Sequence, residues 1–342
     1  MAQCEISGAV SVLTDTGEPQ HFGWSRQPGF FYDPALVWAP RRRISEADRY
    51  IVFTPTHLVT FEVRDDGYLG HMGISVVSLR DKKRSTQTFQ TLLPLGSYEM
   101  PTGSETGPVR YRRYKTSLDF VPMDGGARII RADIPRFGHN RSLRGELVLT
   151  EPVMAESLVT NTGWREDKNA FRYSRCSPWY TVEGVIQFGT TEIIFTRGNA
   201  WGIFEWSRGA RPRADIRYWA ASCGMSEGRL VSFSAGYGSA DSSAGTENAF
   251  FVDGILHKLD QVTFHIPLGN WRSPWRFTSN DNRLEMSFTP HQERTEMRRL
   301  LLHSSARRQI AGFFSGKAIL DDDSPIAFSN ITGFAERNRM RF

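Results

Sequence analysis

The chain has 342 residues, 39% of them hydrophobic and 23% charged, which excludes a disordered chain and exceeds the limit of about 250–300 residues at which single cores stop growing. Lys and Arg number 42 against 37 Asp and Glu, for a net charge of +5; the basic clusters Arg41-Arg42-Arg43, Lys82-Lys83-Arg84, Arg298-Arg299 and Arg307-Arg308 are scattered among acids, unlike the single stripe of a nucleic-acid binder. No apolar run approaches the roughly 18 residues of a membrane helix, and Met1–Glu5 has neither the basic nor the apolar part of a secretory signal.

Aromatics reach 12%, and 30 Gly and 17 Pro punctuate the chain, a balance that favours strands and turns. In chain order, strands are predicted over 51–63, 68–79 and 127–134, and around Leu147 and Leu149 just ahead of Pro152. Thr150 to Gly163 reads as a crossover. Strands follow at 182–188, 191–196, 201–208 and 229–235, then around Val262-Thr263-Phe264-His265-Ile266 and Leu284-Glu285-Met286-Ser287-Phe288, and finally at 309–320. One short helix is expected over Glu293–Leu302. With no βαβ rhythm, the expected fold is all-β, with two antiparallel β-barrel-like or β-sandwich lobes, residues 1–155 and 156–342. A five-residue echo, Phe22-Gly23-Trp24-Ser25-Arg26 and Phe204-Glu205-Trp206-Ser207-Arg208, falls once in each half. If it is a duplication, it marks two related lobes.

The segment 246–260 is the most readable. Asp253-Gly254 between two apolar runs is a two-residue hairpin signal, because a type I′ turn needs positive φ at both central positions. Asp253 is therefore read as a turn residue. The turn sets Val252 opposite Ile255, Phe250 opposite His257 and Asn248 opposite Leu259 on one face. Ala249, Phe251, Leu256, Glu247, Lys258 and Asp260 take the other. Asn248 and His257 are thus diagonal neighbours on an apolar face, where they either satisfy each other or meet a ligand. Glu247 is within diagonal reach of Lys258 for an ion pair. By the same parity Phe204, Trp206 and Arg208 share a face, so Arg208 is placed to stack on Trp206, to offer its fork to an anion, or to snorkel at the strand end.

Other signals fail. Gly236-Tyr237-Gly238 with Gly245 reads as a loop. Gly312–Ala318 is one residue short of a P-loop and has Ala318 where Ser or Thr is required. The eight His lack metal-ligand spacing, so no metal is expected. Cys4, Cys176 and Cys223 have no C-x-x-C spacing, which argues against a disulfide framework and for a reducing, cytoplasmic setting. Glu205, Glu247, Asp281 and Glu285 are the carboxylates available for an acid/base pair, with no spacing that pairs them.

Several stretches together carry a resemblance. They are His21–Arg26, Ala200-Trp201-Gly202 running into Trp206–Gly209, Thr246–Ala249 with Phe251–Gly254, His257-Lys258-Leu259, Pro274-Trp275, Gly312–Gly316, Asp321-Asp322-Asp323 and Gly333–Glu336. On these the chain resembles the domain-of-unknown-function 2804 family over nearly its whole length. More distantly it is similar to the two-lobed lipocalin-like proteins that include carotenoid hydratases and tocopherol cyclases. That likeness implies a pocket for a largely apolar small molecule and acid/base chemistry of hydration, isomerisation or cyclisation type, without a cofactor. Glu247 and His257 are then the candidate acid or base. Trp206, Arg208, Asn248, Lys258, Trp275, Trp24 and Arg26 are the candidate ligand contacts. A non-catalytic carrier with the same pocket, and a carbohydrate-active enzyme using paired carboxylates, are the alternatives; no nucleic-acid partner is expected, and the oligomeric state is not legible.

Overall fold

The computed structural model describes residues 3–138, 141–300 and 303–341. The expectation of an all-β fold holds: the described residues form two large antiparallel sheets with three short 3-10 turns. No helix among them is long and apolar enough to cross a membrane.

The first sheet runs from the edge strand Lys83–Leu92 through Leu69–Ser78, His57–Asp65 and Ile44–Phe53 to Trp201–Ala210 and Asp167–Phe188. It ends with Arg141–Thr150, Arg128–Phe137, Thr116–Pro122 and Val109–Arg113. Leu158–Trp164 joins the front half of Asp167–Phe188, and Gly23–Ser25 adds to it in turn. The second sheet, wholly from the C-terminal part, runs Ile255–Lys258, Ala249–Val252, Arg229–Gly238, Ala214–Ser226, Pro325–Arg341, His303–Ile319, Leu284–Leu300, Trp275–Ser279, Val262–His265. Both sheets curl into half-barrels, the two-lobed lipocalin-like arrangement.

The chain changes sheet between Ala210 and Ala214. Position 155/156, taken from the sequence as the lobe boundary, falls in the link before Leu158–Trp164, inside the first sheet. Both copies of the F-x-W-S-R echo also lie in the first sheet, on Gly23–Ser25 and on Trp201–Ala210, so the echo does not relate one lobe to the other.

Three local expectations are corrected. The stretch 51–63 is two strands joined at 54–56, where Thr54 Oγ1 accepts the backbone N–H groups of Thr56 and His57 and closes the turn. Glu293–Leu300 is not helical; it continues the strand Leu284–Leu300 past a bulge between Pro290 and Gln292, while 301–302 lie outside the described residues. A bulge accommodates a proline that cannot donate to the ladder, and beyond it Glu296 faces Arg307 while Glu293 pairs diagonally with Arg308. Gly236-Tyr237-Gly238 is the end of a strand rather than a loop: a Cβ on Gly238 would lie 2.0 Å from Ile216 O of the neighbouring strand.

Alternation assigns the faces. Along Ala214–Ser226, Trp219, Ala221 and Cys223 join the core shared with the first sheet, whereas Tyr218 and Ala220 join the second lobe's own core of Phe233, Phe250, Trp275, Phe277, Phe288 and Phe314. The first lobe's core is built around Trp179, Tyr180, Trp206, Tyr50, Phe61 and Phe120.

Candidate functional site

Where the two sheets face each other, cross-strand register lines up polar residues in rows. In the first sheet one row reads Cys176, Glu205, Arg49, Glu62, and the next reads Ser174, Ser207, Ala47, Arg64, His71. In the second sheet the rows are Trp219, Glu336, Gln309, Arg294 and Arg217, Asn338, Arg307, Glu296. Residues two apart along a strand share a face, so each sheet presents its whole set to the other.

The rows pair across the gap. Arg49 donates from both terminal nitrogens to Glu336 at 2.8 Å each, with its guanidinium 5.6 and 5.5 Å from the rings of Trp219 and Phe334, which pack edge-on against each other. Arg307 grips Glu62 at 2.8 and 3.1 Å. Arg217 bridges two acids, donating from Nη1 to Glu205 at 2.5 Å and from Nε to Glu247 at 2.8 Å. Glu247 accepts a further bond from Arg172 at 2.9 Å.

Burial alone would raise the pKa of these acids, but the guanidinia outweigh it. Arg49 and then Arg307 hold Glu336 down to about 2. Arg307 and Arg64 hold Glu62 well below the usual range, and Arg172 and Arg217 lower Glu247. His71 moves the other way for an imidazole: burial first, and Arg298 next, push it down to about 4 against the pull of Glu62.

Beside this seam the sheets part into a cavity. Its wall carries Arg64, His71, Ser174, Glu205, Asp215, Arg217, Arg298 and Arg307, with Trp164, Phe171 and Met340 as its apolar side. Arginines outnumber carboxylates around it. Among the wall residues, His71 Nε2, Trp164 Nε1 and Arg172 Nε are buried with no hydrogen-bond partner. Buried donors in this state cost free energy until they find an acceptor. Through Arg298 and Ser305 the cavity meets an outer pocket formed with Tyr68, Leu69, Gln90, Leu92 and Met297.

The residues singled out in the sequence divide into separate places. Glu205 and Glu247 are brought together, joined through Arg217. Arg208 is buried on the opposite face of its strand, 4.5 Å over the ring of Trp206, with Nη2 2.9 Å from Asp48 and its other donors on backbone carbonyls; it stacks rather than snorkels. Trp206 is a core residue edge-on to Tyr173. His257, Lys258, Trp24 and Arg26 form a second cluster away from the cavity. There His257 Nδ1 accepts from the backbone N–H of Asp321 at 3.1 Å, Arg26 pairs with Glu156 and Glu5, and Lys258 Nζ lies 5.5 Å over Trp24.

The expected Glu247–Lys258 ion pair is not formed, because Glu247 is taken by two arginines while Lys258 donates to Thr246 Oγ1, Asn248 O and Leu259 O. Asn248 and His257 do not bond each other; Asn248 accepts from Gly236 N–H and donates to Asp260 O. Trp275 packs inside the second core, its Nε1 on Trp271 O. Glu285 pairs with Arg276 at the surface, and Asp281 accepts from Asp260 N–H and Arg283 N–H. Arg172, Arg217, Arg307, Glu62 and His71 were not singled out in the sequence. Their signal is strand parity on polar strands, which becomes legible only when the facing sheet is known.

The two curled sheets with a polar cavity between them define a two-lobed lipocalin-like protein. The chain matches the family described as Domain of unknown function (DUF2804) over residues 3–342 and belongs to it. None of the curated proteins matches it. Among solved structures it is similar to CghA in complex with Sch210972, with 12% identity, 88% of this chain and 89% of that one covered, and a TM-score of 0.55. A putative ATTH from Nitrosomonas europaea shows 14% identity, 92% and 98% coverage and a TM-score of 0.52. Kievitone hydratase from Nectria haematococca shows 8% identity, 91% and 93% coverage and a TM-score of 0.50. At these identities the likeness is one of fold.

Proposed function

We propose that this protein holds a small molecule in the cavity between its sheets and performs acid/base chemistry of hydration, isomerisation or cyclisation type on it. The molecule has an apolar body and an oxygen-bearing, acceptor-rich end. The observation that carries this reading is the cavity wall itself, where arginines outnumber carboxylates beside an apolar side of Phe171, Trp164 and Met340. A ligand oxygen meets the excess of guanidinium donors, and a ring or chain covers the apolar side, the usual division of labour in small-molecule sites. Arg217, fixed by Glu205 and Glu247, is placed to orient an anionic or polarised oxygen in a low-dielectric setting, where such a charge acts most strongly. The relatives named above support a small-molecule reading: the CghA structure contains Sch210972, and another relative is named a hydratase.

One observation favours a second reading, a non-catalytic carrier. Glu247 is kept as a carboxylate by two arginines, so in the resting protein it has no proton to give.

Both readings need the cavity. The test is binding of 8-anilino-1-naphthalenesulfonate, followed by fluorescence and displaced by aromatic and aliphatic carboxylates. Ser305→Trp, which fills the junction between the cavity and its outer pocket, is expected to remove binding while leaving the melting temperature near that of the parent. Equal binding in parent and variant contradicts the reading. Turnover then separates enzyme from carrier: conversion of a displacing ligand is expected of the first, and its return unchanged of the second.

A further inference from the structure

We propose that the imidazole of His71, held by Glu62, exchanges a proton with the molecule bound in the cavity, and that an anionic group seated against Arg64 and Arg298 brings it into play. The inference rests on the cavity being a ligand site and goes further in naming the proton carrier and the ligand's charge.

His71 is on the cavity wall and is 3% exposed. Its Nε2 lies 3.3 Å from Glu62 Oε2. Glu62 is itself clamped by Arg307 at 2.8 and 3.1 Å and by Arg64 Nε at 3.1 Å. Nε2 is buried without a formed hydrogen bond, so Glu62 stands at charge-contact distance and favours the protonated ring. Glu205 and Glu247 are each gripped by guanidinia, and Asp66 is paired with Arg64 and Arg211. Glu296 is paired with Arg294 and Arg298; of the wall groups left to exchange a proton, His71 and Asp215, His71 is the one flanked by Glu62, Arg64 and Arg298.

The charged groups facing His71 come from every neighbouring element. Glu62 and Arg64 lie on His57–Asp65, with Asp66 just beyond; Arg298 lies on Leu284–Leu300, 3.5 Å from Glu296 of the same strand; Arg307, on His303–Ile319, acts through Glu62. Without a ligand, burial and the nearby arginines keep the ring neutral. An anion against Arg64 and Arg298 offsets their charge and adds an attraction of its own, so the imidazolium becomes the favoured form. The ring takes up one proton from solvent at Nδ1 while Nε2–H faces the Glu62 carboxylate. In the forward step the Nδ1–H bond breaks, its proton goes to the ligand atom that gains electron density, and the electron pair stays on Nδ1. In the reverse step Nδ1 removes a proton from the ligand or from water. No electrons are transferred.

The test uses 8-anilino-1-naphthalenesulfonate, whose sulfonate does not titrate near neutrality, and protein labelled with carbon-13 in its histidine rings. His71→Gln identifies the His71 resonance by its loss. Adding the probe is expected to raise the titration midpoint of that resonance by at least one pH unit, a tenfold rise in proton affinity. Glu62→Gln is expected to lower the midpoint with and without probe, and serves if His71→Gln fails to fold. A probe that binds in the cavity, as shown by loss of binding in Ser305→Trp, while the His71 midpoint stays still overturns this inference and leaves the cavity reading standing. A midpoint indifferent to Glu62→Gln also overturns it. A probe that does not bind, or binds Ser305→Trp equally, overturns the cavity reading and this inference with it.

Discussion

Arg49 of the first sheet and Glu336 of the second meet across the gap as a two-pronged pair, 2.8 Å at each prong, and both side chains are almost wholly shielded from water. A buried ion pair offsets its own desolvation only when geometry and additional hydrogen bonds are good, and removing one member strands the other. Here Gln309 Nε2 and Asn338 Nδ2 also donate to Glu336, so the carboxylate is well satisfied.

Glu336→Gln is therefore expected to lower stability by about 3–5 kcal/mol, the usual cost of breaking a buried pair. The double variant Arg49→Met/Glu336→Leu is expected to recover most of that loss, because no charge is left unpaired. Urea unfolding of the three proteins checks it. A double variant as unstable as Glu336→Gln would contradict the argument.

Stability at low pH follows from the same groups. Glu62, Glu247 and Glu336 have pKa values below the ordinary 4.5, so their ionised forms stabilise the fold above pH 4.5. That contribution is lost as pH falls through the folded values, down to about 2 for Glu336. His71 acts earlier: the unfolded ring takes a proton from its ordinary value of 6.5 downward, the folded ring only at about 4. The melting temperature is expected to start falling below pH 6.5 and to fall more steeply below 4.5. His71→Gln should remove the first part only, as a series of thermal melts across that range will show.

Lys258 governs the alkaline side. Burial lowers its pKa from 10.5 to about 7 in the fold, so below 7 the folded chain bears the full cost of an ammonium that the unfolded chain holds freely. As pH rises from 7 to 10.5 that cost disappears and stability rises. Lys258→Met is expected to flatten this rise in chemical unfolding measured at pH 7, 8 and 9, whatever it does to stability at pH 7.

The Asp253-Gly254 turn supplies a local test. Asp253 and Gly254 have φ of 51° and 87°, and a Cβ on Gly254 would meet Pro152 Cβ at 3.2 Å and Ala155 at 3.3 Å. Gly254→Ala is expected to cost about 1–2 kcal/mol from the left-handed backbone alone, with more from the close contacts. Asp253→Asn, which tolerates the same backbone, should cost less even though Asp253 pairs with Arg229.

That turn also shows what could be read in advance. The register of 249–258 was legible because two residues demanding positive φ sit between two apolar runs, and the pairs Val252–Ile255 and Phe250–His257 follow directly. Strands such as Leu69–Ser78 and the start of Leu284–Leu300 were legible from one apolar face, whereas Thr116–Pro122, Ala214–Ser226 and Pro325–Arg341 were not predicted although each also buries apolar residues. The long strand Asp167–Phe188 was not, beyond its last residues, because Ser174, Arg175 and Ser177 are polar yet buried, so polarity and burial disagree. The same conflict hid the strand through Glu293 behind a helical reading. In the site, Glu205 and Glu247 were nameable as acids, but Arg217, which joins them, was not. Its role comes from residues 12 and 30 positions away that meet only when the sheets close.

Whether the cavity beside Arg217 and His71 holds a ligand is decided by native mass spectrometry of the purified protein beside Ser305→Trp. A co-purifying small molecule is expected in the parent, with an apolar body and an acidic or carbonyl-rich end, that is missing from Ser305→Trp. The same adduct on both proteins would contradict it, as would a bare mass on the parent that no carboxylate-bearing compound shifts.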